Sequence, residues 1–152
     1  MRIGLISDTH NLLRPQALAW LQGCAHIVHA GDICAPHVLT ALSALAPVHA
    51  VRGNNDVGDW AEGLPEALTV ELGGVRLHVV HDLKTLALDP VAQGIDVVVS
   101  GHSHRPLVEQ HGPVLYVNPG SAGPRRFKLP VSVGELRMED GKVRAQLAEL
   151  AA

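Results

Sequence analysis

Aromatic side chains are scarce in this chain of 152 residues: they make up 3% and consist of Trp20, Trp60, Tyr116 and Phe127. So thin an aromatic content offers no platform for stacking bases. Basic charge is not in excess either, since 12 Lys and Arg face 15 Asp and Glu, for a formal net charge of −3. Stable nucleic-acid binding and attachment to an anionic membrane are therefore not expected. The only cysteines, Cys24 and Cys34, are too few for a framework of several disulfides. They read as free thiols in a reducing compartment. The first apolar run, Ile3 to Ile6, is far too short for a signal h-region and leads into Asp8. No stretch approaches the roughly 20 apolar residues that span a bilayer. A cytoplasmic location without membrane contact is the expectation. A GxxxxGK(S/T) loop, a GxSxG elbow and a CxxC pair are also missing. Triphosphate cradling, serine hydrolysis and thioredoxin-like redox chemistry thus lack support.

What the chain does have is apolar material, at 47% hydrophobic and 18% charged residues, as in ordinary soluble globular proteins. Its length suits one domain over residues 1–152. Extended runs near 2–7, 26–30 and 48–52 alternate with helical stretches. Pro15 can open the first helix, which Gln16 to Gln22 continue until Gly23, and the second runs from about Pro36 to Leu45. This β-α-β-α-β order predicts a parallel sheet with helical crossovers. Beyond it, Glu66–Leu72 and Val75–Val80 flank a Gly73-Gly74 hairpin signal. A short helix is expected over Thr85–Gln93, then strands at 96–100, 106–110, 114–117, 131–137 and 142–149. A parallel half and a strand-rich half bury their apolar faces by packing sheet on sheet, with helices outside. The expected class is α/β: a four-layer αββα sandwich of two mixed sheets flanked by helices.

Five of the apolar runs end in side chains that bind metals. Asp8-Thr-His10 follows the first, Gly31-Asp32 the second and Gly53-Asn54-Asn55-Asp56 the third. His81 follows Leu77–Val80, and Gly101-His102-Ser-His104 follows Val97–Ser100. In open α/β sheets ligands gather beyond the carboxyl ends of strands. Asp8 with His10, and His102 with His104, are spaced two apart, which sends both side chains of a pair to one side of an extended segment. The donors are oxygen and nitrogen with no thiolate, which favours Mn²⁺, Fe, Co²⁺, Ni²⁺ or Zn²⁺ in a reactive site over a structural zinc. Two divalent ions against two carboxylates leave about +2, or about +1 with a bound hydroxide, which attracts a phosphate group.

In order and spacing these motifs resemble the calcineurin-like metallophosphoesterases, and in length the small bacterial and archaeal phosphodiesterases among them. The resemblance covers essentially the whole chain and implies the αββα sandwich. It further implies that Asp8, His10, Asp32 and His104 hold one metal, and Asp32, Asn54, His81 and His102 the other. Asp32 and a hydroxide would bridge the pair, with Asp32, Asn54 and His102 closest to the chemistry. The implied reaction is metal-dependent phosphodiester hydrolysis of a small substrate, with two divalent ions and Mn favoured. A phosphomonoesterase using the same donors, or a non-catalytic scaffold of the same fold, are the alternatives. Small relatives often pair, so a homodimer is possible.

Two positions depart from the family pattern. Many members carry His where this chain has Asn55, an amide that cannot act as a general acid. Asp82 stands where Gly commonly follows the ligand His, and it either supports a ligand or reshapes the loop. Asp56 reads equally as a turn acid or a partner behind a ligand. In the turn-rich stretch Asn118 to Arg126, either Ser121 or Arg125 meets a phosphate oxygen at the rim, or the loop is merely solvated. His26, His29, His37, His49, His78 and His111 read as packed or solvated rather than ligating.

Overall fold

The computed structural model describes residues 1–151. Ten strands form two mixed sheets. The first contains β1 (Arg2–Ile6), β2 (His26–His29), β3 (Val48–Ala50), β9 (Ser132–Glu139) and β10 (Lys142–Glu149), in the order β10-β9-β1-β2-β3. The second contains β4 (Ala67–Leu72), β5 (Val75–Val80), β6 (Val97–Val99), β7 (Leu107–His111) and β8 (Val114–Asn118), in the order β4-β5-β6-β8-β7. β1, β2 and β3 run parallel, as do β5, β6 and β8, while β4, β7, β9 and β10 pair antiparallel. Each of these ten strands falls on an expected extended run.

Period-two alternation explains the layering. On β1, Ile3 and Leu5 point into a cluster shared with Leu77, Val79, Val97, Val99 and Val117 of the second sheet. Ile6 faces the opposite way, joining Ala17 and Leu21 of α1 (Pro15–Leu21) and Val38 and Leu42 of α2 (Pro36–Ser43). β6 divides likewise, with Val97 and Val99 between the sheets and Val98 packed outward beside Ile95 and Val114. Both helices start with Pro at the first turn, where its missing N–H costs nothing.

The sandwich is as expected, but the cover of the second sheet is thin. The helix expected over Thr85–Gln93 does not form; a 3₁₀ turn occupies Leu83–Thr85 and turns follow. Pro90 biases Asp89 out of helical geometry. The Asp89 carboxylate then accepts the Val91 and Ala92 N–H groups, closing a local turn instead. One short helix escaped the sequence pattern: α3 (Asp59–Glu62), four residues long.

Candidate metal centre

The loops after β1, β2, β3, β5 and β6 meet at one edge of the sandwich. Their backbones are laced together: Asp8 N donates to Gly31 O at 3.0 Å, His10 N to Asp32 O at 2.9 Å and Gly101 N to His81 O at 2.9 Å. Asp8, His10, Asp32, His102 and His104 all have positive φ, between 44° and 70°. Left-handed backbone at non-glycine residues is costly and persists only where surrounding contacts enforce it. Gly53 and Gly101 are demanded by crowding, since a Cβ on Gly53 would strike the Asp32 carboxylate and one on Gly101 would strike Ser7 and Asp8.

The expected donors converge. From Asp8 Oδ1, His104 Nε2 is 3.4 Å away, His10 Nε2 3.9 Å and His81 Nε2 3.9 Å. Asp32 Oδ2 lies 3.3 Å from His81 Nε2 and 3.7 Å from His10 Nε2. His102 Nδ1 completes the ring, 3.3 Å from His81 Nε2 and 3.2 Å from Asn54 Oδ1. Two triads have ligand atoms within 4.8 Å of one another and could each hold an ion: Asp8 with His10 and His104, and Asp8 with Asp32 and His81. Asp8 therefore belongs to both groups, whereas Asp32 belongs to the second and approaches the first through His10 Nε2 at 3.7 Å.

The hydrogen bonds leave coordinating atoms free. Asp8 Oδ2 accepts from Ser7 Oγ at 2.7 Å and His102 N at 3.1 Å, whereas the buried Asp8 Oδ1 and His10 Nε2 have no hydrogen-bond partner. His81 Nδ1 donates to Ala30 O at 2.7 Å, which leaves the Nε2 lone pair aimed at both carboxylates. A buried carboxylate oxygen surrounded by imidazole nitrogens fits a cation better than it fits empty space.

Electrostatics follow from this crowding. Burial alone would raise the Asp32 carboxyl, but bonds from His81 and Asn55 hold it well below the usual range. For Asp8 burial again works upward, and the nearby His104 imidazole and the Ser7 hydroxyl outweigh it, holding the carboxyl low. Burial works downward on His81, yet Asp32 and Asp8 win and raise it. Burial lowers His10, against the pull of the same two carboxylates.

Other residues brace the donors. Asp56 accepts three backbone N–H groups, from Asp32 at 3.0 Å, Cys34 at 2.7 Å and Gly53 at 2.8 Å. It is buried and anchors the loop that carries Asp32. Asn55 grips both Asp32 oxygens, from N at 2.9 Å and Nδ2 at 3.0 Å. Asp82 caps the 3₁₀ turn through Lys84 N and faces His102 Nε2 at 3.8 Å. Ser121 does not reach the rim: it is buried, and its Oγ donates to Asp8 O at 3.0 Å. Its position in a turn-rich sequence concealed a burial that long-range packing imposes. Arg125 is exposed in the 124–129 loop.

Two contributors went unread in the sequence. Asn118 is buried and clamps the last donor loop, with Nδ2 on Gly101 O at 3.0 Å and on Ser103 Oγ at 3.1 Å. His29, packed as expected for a strand histidine, also supports the loops. Its Nδ1 accepts from Gly31 N at 3.1 Å, and its Nε2 meets Thr9 Oγ1 at 3.1 Å. The available signals are that His29 lies in a run ending at a donor and that Asn118 directly follows the run 114–117.

Comparison with known proteins agrees with this geometry. Residues 1–141 match the family model described as calcineurin-like phosphoesterase superfamily domain. A probable metallophosphoesterase from Methanothermobacter thermautotrophicus is 35% identical, over 97% of this chain and 91% of its own. A phosphodiesterase from Methanocaldococcus jannaschii is 28% identical, over 79% of this chain and 83% of its own. Among solved structures, Vps29 from Entamoeba histolytica complexed with zinc superposes with a TM-score of 0.75 at 24% identity, covering 98% of this chain and 99% of that one. By the extent of the family match and the identity to its archaeal relative, the chain belongs to the calcineurin-like phosphoesterase superfamily.

Proposed function

We propose that this chain is a divalent-metal-dependent phosphodiesterase. The observation that carries the reading is Asp8 Oδ1, buried without a hydrogen-bond partner and ringed by the nitrogens of His10, His81 and His104. Asp8, His10, Asp32 and His104 would hold one cation, and Asp32, Asn54, His81 and His102 a second. When bound, such a pair supplies Lewis acidity towards a phosphoryl oxygen and an activated water. Manganese suits the oxygen and nitrogen donors, as do Fe, Co, Ni and Zn.

The residues around the donors set what the site does with a substrate. Two buried carboxylates require cationic compensation, and overcompensation by two divalent ions leaves positive potential for a phosphate ester. His102 and Asn54 are the exposed donors, so an incoming ester meets them first. Asn55 spends its amide N–H on Asp32 and has no acidic proton for a leaving oxygen. Esters whose leaving group departs unaided, such as aryl diesters, are therefore the favoured substrates. Arg52, the cation bordering the Asn54 side, is bonded to Glu66 at 2.8 Å, which favours a singly charged diester over a doubly charged monoester. The name of the M. jannaschii relative points the same way.

Loading with Mn²⁺ should give hydrolysis of bis(p-nitrophenyl) phosphate that is lost on chelation and in Asp32→Ala. Undiminished activity after either treatment overturns the reading. A rate on p-nitrophenyl phosphate well above the diester rate would make it a monoesterase. A scaffold is the second reading, since Vps29 structures cover nearly the entire chain. Metal analysis finding the site empty after metal-replete purification would favour the scaffold.

A further inference from the structure

The donor cluster opens on two sides of His102. A recess of about 250 Å³ is bordered by Asn54, His81 and His102. Beyond His102 and Asp82, which border both spaces, lies a larger cleft of about 750 Å³. Leu83, Pro106, Leu107, Tyr116 and Leu129 supply its apolar surface, with Lys84 and Arg105 also contributing. These groups come from the loops after β5, β6 and β8 and from the strands β7 and β8, so folding alone brings them together. Leu83 and Leu107 remain 41% and 44% exposed. Concave, mostly apolar spaces of roughly 300–1,000 Å³ with a few polar groups are where small molecules bind.

The two faces of His102 connect the spaces. Its Nδ1 points to Asn54 and His81, while its Nε2 faces Asp82 on the shared border. A phosphoryl group at the donors leaves its organic substituents to lie outside the small recess, and the adjoining space is the apolar cleft. We propose that this cleft is the subsite for an apolar, ring-bearing substituent of the phosphodiester. The assignment rests on the phosphodiesterase reading and adds what the ester must carry. Flat rings suit it because Leu83, Leu107 and Tyr116 offer apolar area with little competing polarity. Lys84 and Arg105 keep their charges available to a polar edge of the same group.

Dimethyl and diphenyl phosphate carry the same charge and differ only in their substituents. Calorimetric titration of the Mn²⁺-loaded protein should show diphenyl phosphate binding about tenfold tighter or more, as expected for burying a ring. Leu107→Asn and Leu83→Asn, which add polarity without charge, should bring the two ligands to within about twofold, leaving dimethyl phosphate affinity unchanged as the sign of an intact donor cluster. If dimethyl phosphate binds and phenyl groups add nothing, or the preference survives both variants, the cleft assignment falls and the phosphodiesterase reading stands. If neither ester binds the loaded protein, the phosphodiesterase reading fails and takes the assignment with it. A light-scattering mass that halves in Leu107→Asn while the preference persists would give the cleft to contact between copies, and overturn it.

Discussion

The two halves of the donor cluster differ in how many of their donors meet solvent. Asp8 and His104 are buried, and the His10 side chain is 13% exposed. On the other half Asp32 and His81 are buried as well, but Asn54 is exposed and the His102 side chain is 45% exposed. The inner half is braced from behind by Ser7, Ser121 and the strand histidine His29, whereas Asn54 makes its side-chain contact only with His102. Of the two proposed seats, one keeps nearly all its donors from solvent and the other presents Asn54 and His102 to it.

That contrast can be attacked first at the donors. His104→Ala should cost on the order of a thousandfold in cation affinity at the inner seat, its share of the free energy that a four-ligand site supplies. His102→Ala should lose only the outer cation, keeping one equivalent. Metal content during competitive chelator titration measures both, and equal losses would erase the distinction between the seats.

Bracing comes next. Asp56→Ala strands two buried N–H groups and a half-buried one beneath the loop of Asp32 and should lower unfolding free energy by about 3 kcal/mol, read by urea denaturation. A loss under about 0.5 kcal/mol, the usual scale of surface changes, would mean that the anchor is dispensable.

His29 supplies a pH-dependent version of the same test. Burial pushes its imidazole from the ordinary 6.5 down to about 4, against a smaller upward pull from Asp8. Below 6.5 the unfolded chain takes up a proton that the folded chain refuses, so this contribution is present above that value and is lost as pH falls towards 4. The metal-free protein should be about 2 kcal/mol less stable at pH 5 than at pH 8 through this group. His29→Gln should flatten that part of the profile, and an unchanged slope would remove His29 from the account. The smallest effect is expected at the exposed rim, where Arg125→Ala should change diester kcat/KM by less than about twofold.

Much of this was legible because strands and donors announce themselves locally. Val97, Val98 and Val99 read as a strand from their run alone, and Gly101-His102-Ser-His104 marks its end. Asp89-Pro90 was misjudged because a proline turn and a short helix share the apolar spacing of Leu86, Leu88 and Val91. Ser121 and Asn118 were obscure for a different reason: their partners, Asp8 and Gly101, lie 113 and 17 residues away. The cleft was invisible for the same reason, since Leu83, Leu107, Tyr116 and Leu129 are each unremarkable until folding gathers them.

Asp8, Asp32 and Asn54 extend from one sheet, while His81, His102 and His104 extend from the other. Any ion seated among them is therefore a rivet through both layers, fastening the sandwich at a single end. Loading should raise the melting temperature with the logarithm of free metal. Stripping the metal should let amide protons exchange sooner at the riveted ends of β1 and β6 than at their far ends.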